Sequence, residues 1–392
     1  VATFECKVYK LKIEDHPNAD ALELAVVGDY RSIVRKDQFK TGDLGVYIPE
    51  AAILPEWLIS KLGLEGKLAG RDKNRVKAVK LRGVLSQGLI LPLDVYPFHT
   101  DIDKVGRDAR GEVIGVNRPE DEISSMTMFA PEGTDVTEFL GIIKYEPPIP
   151  TQMAGEVFNA HGYTLNYDIE NIKKYPDEFE EGDDIVITEK LHGTWCCFGY
   201  HPEVDSLIIT SKGLSGKGLA FKLNEANENN LYIRALRGTT DSSGANVLDR
   251  AAHNYGGYQN APPFYILGEV FGPGVQDLTY GAESIQFRVF DVYVGTPGEG
   301  SFLNADELLF FVSSLDVVQQ VPILYEGPFK KEIVEMYTNG KETVSGKGAN
   351  IREGVIVTCA RELTPYSSGL SRRKLKSVSE AYLLRKNGTE YN

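Results

Sequence analysis

The stretch Ile187-Thr188-Glu189-Lys190-Leu191-His192-Gly193-Thr194 decides how this chain is read. It leaves an alternating strand through Ile185 and Ile187 and enters a glycine-containing loop, with one lysine at the strand edge. A lysine held there becomes a nucleophile when its ammonium loses a proton, because the free amine attacks electrophilic phosphorus or carbon. Alone, Lys-x-His-Gly describes a solvated lysine in a hairpin turn equally well. The stretches downstream of it, taken in order, change the reading. Ser211-Lys212-Gly213 comes after a strand, then Leu267-Gly268-Glu269-Val270-Phe271-Gly272 and Phe287-Arg288-Val289-Phe290-Asp291-Val292. Glu353-Gly354-Val355-Ile356-Val357 and Arg373-Lys374-Leu375-Lys376 complete the series.

The 392 residues suffice for two or three domains with sizeable cores. The four cysteines, Cys6, Cys196, Cys197 and Cys359, form no Cys-x-x-Cys pair and have no histidine at zinc-ligand spacing. A disulfide framework or a structural zinc site is therefore not expected, and a reducing interior is. The first residues lack the apolar run of a signal peptide, and no stretch is long and apolar enough to span a bilayer. The expectation is an intracellular, soluble protein with no membrane partner. The net charge of -14 speaks to solubility and steering, not to the sign of one groove. Lys67, Arg71, Lys73, Arg75, Lys77, Lys80 and Arg82 crowd one segment, and Arg372, Arg373, Lys374, Lys376, Arg385 and Lys386 another. Acids gather at 177–184 and around Pro119 to Glu122. Such clusters suit local polyanion binding or, taken singly, ordinary solvated faces.

Residues 1–95 alternate in short runs separated by turn signals. Phe4 to Tyr9, Leu22 to Val27, Ser32 to Val34, Leu44 to Ile48, Val76 to Leu81 and Gly88 to Leu91 read as strands of a small barrel. Patterning fades between Asp94 and Pro150, and Glu146-Pro147-Pro148-Ile149-Pro150 reads as a stiff connector. The expected division is 1–150, with 95–150 as extension and linker, and 151–392. In the second part Asn304-Ala305-Asp306-Glu307 is a capping box ahead of a helix. Lys330 to Tyr337 is a further helical stretch closed by Asn339-Gly340. Gly213 to Gly218 lacks the spacing and the Ser/Thr of a P-loop.

The ordered series resembles the motifs of covalent nucleotidyltransferases, and among them the ATP-dependent RNA ligases. Histidine at His192, where most polynucleotide ligases carry aspartate, resembles the RNA-ligase branch. The resemblance spans roughly 150–386 and is specific because six elements agree in order. His16-Pro17-Asn18-Ala19-Asp20 and Ser86-Gln87-Gly88-Leu89 resemble the OB-fold module of the fifth described RNA-ligase family, which seals nicks. The implied fold is α+β: an N-terminal OB-fold β-barrel followed by an antiparallel-sheet nucleotidyltransferase, or ligase adenylation, domain (ATP-grasp-like) with flanking helices.

The resemblance also implies roles. Lys190 is the nucleophile that becomes lysyl-AMP, and His192 belongs to the later nucleic-acid steps. Glu189 reads the adenine edge, and Leu191 and Gly193 complete the nucleotide-binding loop. Lys212 lies near phosphate, Glu269 contacts ribose and Phe287 stacks on adenine. Glu353 holds Mg²⁺ or Mn²⁺ through water, since Mg²⁺ prefers oxygen ligands and keeps several waters. Lys374 and Lys376, two apart on a strand, leave one face together and address phosphates. A lysine has an ordinary pKa near ~10.4, so nearby cations (the metal with Lys374 or Lys376) are expected to favour the free amine of Lys190. Trp195 departs from the asparagine that related RNA ligases often carry.

The implied activity is sealing of 3′-OH/5′-phosphate nicks in RNA-containing duplexes, through lysyl-AMP and then AppRNA, by a monomer using ATP. The partner is nicked duplex RNA or an RNA/DNA hybrid, with Lys73, Arg75, Lys77, Lys80 and Arg82 on its backbone. The rivals are a DNA ligase, a capping-type transferase, or a non-catalytic OB-fold nucleic-acid-binding protein. Capping enzymes place an OB domain after the Lys374-Lys376 motif, whereas here about sixteen residues come after it.

Overall fold

The computed structural model describes residues 4–93, the short strands Phe98–His99 and Met128–Phe129, and 130–361, 370, 372–386 and 388–389. The expected acids around Pro119 to Glu122 lie outside the described residues. Two compact units emerge, Thr3–Tyr145 with Lys173–Pro176, and Glu146–Ile172 with Asp177–Asn392.

The first unit is built of short strands. β1 (Lys7–Lys10), β5 (Leu44–Ile48) and β6 (Leu89–Pro92) form one antiparallel sheet. β2 (Lys12–Asp15), β3 (Leu22–Val27) and β4 (Tyr30–Arg35) form another. Alternation buries Val8, Val46, Ile48 and Leu91 in one core, joined by Leu58 of helix α1 (Glu56–Leu62). Val136, Leu140 and Ile142 enter the same core, although no periodicity marks their segment. Ser86 and Gln87 tie strands together: Ser86 Oγ accepts from the Ile33 N–H at 2.9 Å, and Ser32 Oγ donates to the Gln87 carbonyl at 2.7 Å. The basic segment runs through turns into an exposed hairpin, Val79–Leu81 and Val84–Ser86. Lys73, Lys77, Lys80 and Arg82 are exposed on it. Arg75 is not: half-buried, it lays its guanidinium 4.0 Å over the Tyr145 ring, so packing claims the group expected on nucleic acid.

The second unit carries two mainly antiparallel sheets, each with one short parallel strand at its side. The five-stranded one orders Glu170–Asn171, β12 (Lys374–Val378), β11 (Gly354–Cys359), β7 (Asp184–Lys190) and Ile323–Pro328. The other centres on β8 (Thr194–Tyr200), β9 (Phe264–Phe271) and β10 (Gln286–Val294), with Ile208–Ser211 beside β8. One face of this second sheet packs Phe198, Ile266, Phe287 and Val289 against helices α2 (Leu231–Arg237), α3 (Val247–Asn254) and α4 (Ala305–Leu315). The opposite face carries Trp195, Cys197, Leu267 and Phe290. At the start of α4 the Asn304 N–H donates to Glu307 Oε2 at 2.8 Å, the reciprocal arm of a capping box. Helix α5 (Lys331–Thr338) comes next, with Asn339 at its end.

A register shift between β9 and β10 at Leu267/Gly268 leaves Phe290 as an extra residue, Leu267 facing Asp291 and Gly268 facing Val289. Such a bulge reverses which face every later residue occupies. Phe287 and Val289 point to the helix side, whereas Phe290, Asp291 and Tyr293 belong to the other. Strict alternation would keep Phe287 and Asp291 together.

Candidate active site

Lys190 ends β7, and its chain direction carries Leu191, His192 and Gly193 across to β8. The crossing is tight. A Cβ on Gly193 would sit 2.1 Å from the Val270 carbonyl oxygen, and its N–H donates to Glu269 Oε1 at 2.9 Å. No other residue type fits there. A cavity opens between the two sheets, lined by Glu189, Lys190 and Leu191 from β7 and its loop, by Trp195, Glu269 and Phe290 from the second sheet, and by Lys212 from the short helix just after its strand Ile208–Ser211. Ile356, Lys374 and Lys376 complete it from β11 and β12, with Tyr167 and Asp168 at the side.

Lys190 Nζ lies 2.7 Å from Glu353 Oε1. Burial presses the ammonium toward losing its proton, but Glu353 and Glu269 outweigh it, and the net shift is upward. The expected relief by Lys374 does not occur among the protein's own groups, because Lys374 Nζ is held 2.7 Å from Asp291 Oδ2. Burial pushes the Glu269 carboxyl up to about 8, with Lys190 opposing and Glu353 adding to the rise. Glu353 Oε2 is buried and has no hydrogen-bond partner among the described residues.

Glu189 is fixed by Thr343, whose N–H and Oγ donate to Oε2 at 2.9 and 2.6 Å, while Oε1 stays buried without a partner among the described residues. Burial raises its pKa against those hydrogen bonds. Arg352 Nε stands 3.6 Å away.

His192 is gripped on both ring nitrogens: Nε2 is 2.9 Å from Asp277 Oδ1 and Nδ1 is 2.9 Å from Tyr382 Oη. Burial lowers the imidazole pKa despite Glu353 and Asp277. A neutral ring beside an ionised carboxylate carries its proton on Nε2, so Nδ1 accepts from the Tyr382 hydroxyl. Tyr382 lies in the short helix α6 (Glu380–Leu383), with Arg385 stacked 3.7 Å over its ring and reaching Asp277 Oδ2 at 3.4 Å. Nothing near the quoted motifs marks Asp277 or Tyr382 for this role; only their arrival at His192 does.

The second basic cluster proves to be mostly internal. Asp291, buried and held ionised against its burial by Arg372 and Lys374, accepts at Oδ2 from Arg372 at 2.5 Å, Lys374 at 2.7 Å and Tyr167 at 2.8 Å. Arg373 pairs with Asp183, and Lys212 lies 3.1 Å from Asp168 Oδ1. Lys376 makes no ion pair among the described residues; burial lowers its pKa to about 8, with Lys190 and Lys212 contributing and Asp168 opposing. Phe287 corrects the expectation of an adenine-stacking ring. It packs 4.6 Å from Phe198 on the helix side, away from the cavity, while Phe290, three positions on, faces the cavity by ordinary strand alternation. Two aromatics three positions apart in one motif are the only sequence signal for that exchange. Lys73, Lys77, Lys80 and Arg82 belong to the other unit. Among the described residues no group of three or more His, Cys, Asp or Glu side chains is arranged to hold a metal ion directly. Among the described residues no helix is long and apolar enough to cross a membrane.

Comparison with known proteins gives the same division. A family model described as RNA ligase matches residues 183–378, and an OB-fold domain model matches residues 6–93. No curated protein matches the chain. Among solved structures it is similar to a variant of the RNA ligase of Naegleria gruberi with ATP and Mn, at TM-score 0.72 and 21% identity, covering 97% of this chain and 98% of that one. A second variant, with AMP and Mn, gives TM-score 0.71 at 21% identity over 97% and 98% of the two chains. The same ligase with PPi gives 0.70 at 23% over the same shares. At these identities the likeness speaks for the fold, an OB-fold domain followed by an antiparallel-sheet ligase domain. With half of its length matched in one continuous span by the family model, the chain belongs to the RNA ligase family.

Proposed function

We propose that the protein seals 3′-OH/5′-phosphate nicks in RNA-containing duplexes, with ATP as the source of the adenylyl group. The observation that carries the reading is Lys190 paired at 2.7 Å with Glu353 on a cavity also lined by Lys212, Lys374 and Lys376. Lys190 Nζ attacks the α-phosphorus of ATP, forming a P–N bond as the bond to pyrophosphate breaks; Glu353 Oε1 is the nearest acceptor for the proton it sheds. The 5′-phosphate of the nick then displaces Lys190 to give AppRNA, and the 3′-hydroxyl displaces AMP. Lys374 and Lys376 stabilise charge on the phosphate oxygens.

The buried, unpartnered Glu353 Oε2 fits a water-bridged divalent ion, and Mg²⁺ or Mn²⁺ there would supply Lewis-acid neutralisation of those oxygens. Glu189 Oε1, an acceptor without a partner among the described residues, suits the amino group of adenine. Phe290 on one side and Ile356 on another suit its ring faces. His192, braced by Asp277 and Tyr382, serves the two later steps. The exposed lysines and Arg82 of the 67–82 segment serve the duplex backbone, and the protein works as a monomer.

The test is incubation with ATP labelled at the α-phosphate and Mg²⁺ or Mn²⁺, beside Lys190→Ala, followed by a denaturing gel. A labelled band absent from the variant is expected. No label from ATP or GTP would sink the reading in favour of a binding protein. Label from GTP alone would favour a capping-type transferase, and sealing of DNA nicks alone a DNA ligase.

A further inference from the structure

The hairpin of the first unit, Val79–Leu81 with Val84–Ser86, closes through two residues, Arg82 and Gly83, with Leu81 paired directly to Val84. Both turn residues are left-handed, Arg82 at φ 48° and Gly83 at φ 86°. Two-residue hairpin loops of this kind favour asparagine or aspartate before the glycine, so an arginine there is strained. The turn is held from outside. Asn18 Nδ2 donates to the Arg82 carbonyl at 2.9 Å, and a Cβ on Gly83 would lie 3.3 Å from the same nitrogen. The Asn18 N–H donates to His16 Nδ1 at 3.1 Å, so the His16-Pro17-Asn18 phrase fixes the hairpin tip. At the other end Ser86 is tied to Ile33.

Val79, Leu81 and Val84 share one face of this ribbon, since residues two apart and residues directly opposed point the same way. Val79 and Leu81 are 45% and 44% exposed. Lys73, Lys77, Lys80 and Arg82 are exposed along the same segment, where Asp72 is the single acid between residues 67 and 82. Strain kept at an exposed tip by outside contacts is a mark of functional positions. The charge calls for a polyanion, and lysines along a strand edge oppose pairing with another chain. The apolar face calls for a partner whose charge lies beside apolar surface. A nucleic acid offers that, with sugars between its phosphates. In an A-form duplex the minor groove is wide, shallow and lined by sugars, while the major groove is too deep and narrow for side chains.

We propose that this hairpin lies in the minor groove of an RNA-containing duplex, with Val79 and Leu81 against the sugars and Arg82 and its neighbouring lysines on the phosphates. Asn18 is the residue that positions the tip. The inference rests on the RNA-sealing reading and adds to it an apolar contact that salt does not screen.

The experiment is fluorescence anisotropy of a nicked RNA duplex titrated with the full chain across a salt series, without ATP or metal. Val79→Thr with Leu81→Thr keeps charge and strand preference. It is expected to weaken binding about five- to tenfold at every salt concentration, with the slope of log K against log salt unchanged. Arg82→Asn installs the better turn residue, so its melting temperature should match or exceed that of the unsubstituted chain. Its affinity should nevertheless fall and its slope flatten by about one unit. Asn18→Ala should weaken binding about threefold or more with the slope kept. A nicked DNA duplex, whose minor groove is narrower, should show little of the Val79/Leu81 loss. Unchanged RNA affinity in the double variant, or equal losses on RNA and DNA, would overturn the groove placement. Self-association abolished by the double variant, with RNA affinity intact, would assign the face to a second copy of the chain instead. Labelling of Lys190 by ATP separates the two readings. If labelling and duplex binding are both absent from the unsubstituted chain, the RNA-sealing reading falls too; if both are present, a negative result concerns the hairpin alone.

Discussion

Phe287 and Phe290 lie three positions apart on one strand, so alternation sends one ring into the helix-side core and the other into the cavity. Their truncations should therefore separate cleanly. Phe287→Ala is expected to cost about 3–5 kcal/mol of stability, as large aromatic deletions in cores do, with little change in KM for ATP. Phe290→Ala should leave the melting temperature nearly unmoved and raise that KM about tenfold. Thermal melts beside lysyl-AMP labelling kinetics would check both, and the reverse pattern would return the stacking role to Phe287. Lys376 is a second residue whose setting makes a measurable difference. Burial depresses its pKa to about 8, so it is cationic below that pH and neutral above it. Pyrophosphate and nucleotide affinity should fall as pH rises through 8. In Lys376→Met the affinity should be weak throughout and lack that inflection; an inflection that survives the substitution assigns it to another group.

At the level of elements, helix α6 and the residues after it close onto the first motif. Asp277 accepts from Thr389 N and Oγ at 2.8 and 2.9 Å, as well as from His192. Burial works against the charged form, but these bonds and Arg385 win and hold its pKa at about 2, below the ordinary value near ~3.9. A depressed carboxylate contributes stability that is present above the unfolded pKa and lost as pH falls through the folded one. The attachment of this segment should therefore weaken between about pH 4 and pH 2. Asp277→Asn should remove about 1 kcal/mol or less at neutral pH, because solvent screens a carboxylate this exposed. Acid titrations of the two proteins followed by near-ultraviolet circular dichroism would show it, and identical acid limbs would argue against the latch. The β7-to-β8 crossing is the other sensitive element. Gly193→Ala drives a Cβ against the Val270 carbonyl, so labelling of Lys190 should drop by about 100-fold or more even in protein that remains folded.

Across the whole molecule, a net charge of -14 coexists with an exposed basic hairpin in one unit and a lysine-lined cavity in the other. The attraction proposed for a duplex is then a local one. Neutralising Lys77 and Lys80 together is expected to flatten the slope of log K against log salt by about one unit per lost phosphate contact, while Lys190 labelling continues unchanged. An unaltered slope would remove the hairpin from the binding footprint. Arg75 is left out of that test because its guanidinium is engaged with Tyr145.

Local chemistry made a large part of this protein legible from its residues alone. Period-2 alternation in Leu22 to Val27 and Leu44 to Ile48 marks strands whatever they pair with, and Asn304 to Glu307 caps a helix through contacts three residues apart. The order of Lys190, Lys212, Glu269, Glu353, Lys374 and Lys376 was enough to propose one pocket, and all but Glu353 line it, with Glu353 bonded to Lys190. Sequence order does not encode which face a strand presents after a bulge, or which distant groups reach a side chain. That Asp291 shares the cavity face with Phe290, and not the helix face with Phe287, depends on one unpaired residue in a ladder. The bracing of His192 depends on Asp277 and Tyr382, which are 85 and 190 positions away. The same holds for the cations at 372–374, which meet acids folded in from far along the chain, Asp291 buried and Asp183 partly exposed, because that pairing is a property of the folded arrangement. Periodicity and turn chemistry act between near neighbours and are written in the chain. Charge pairing, burial and register join residues far apart, and only the folded arrangement decides them.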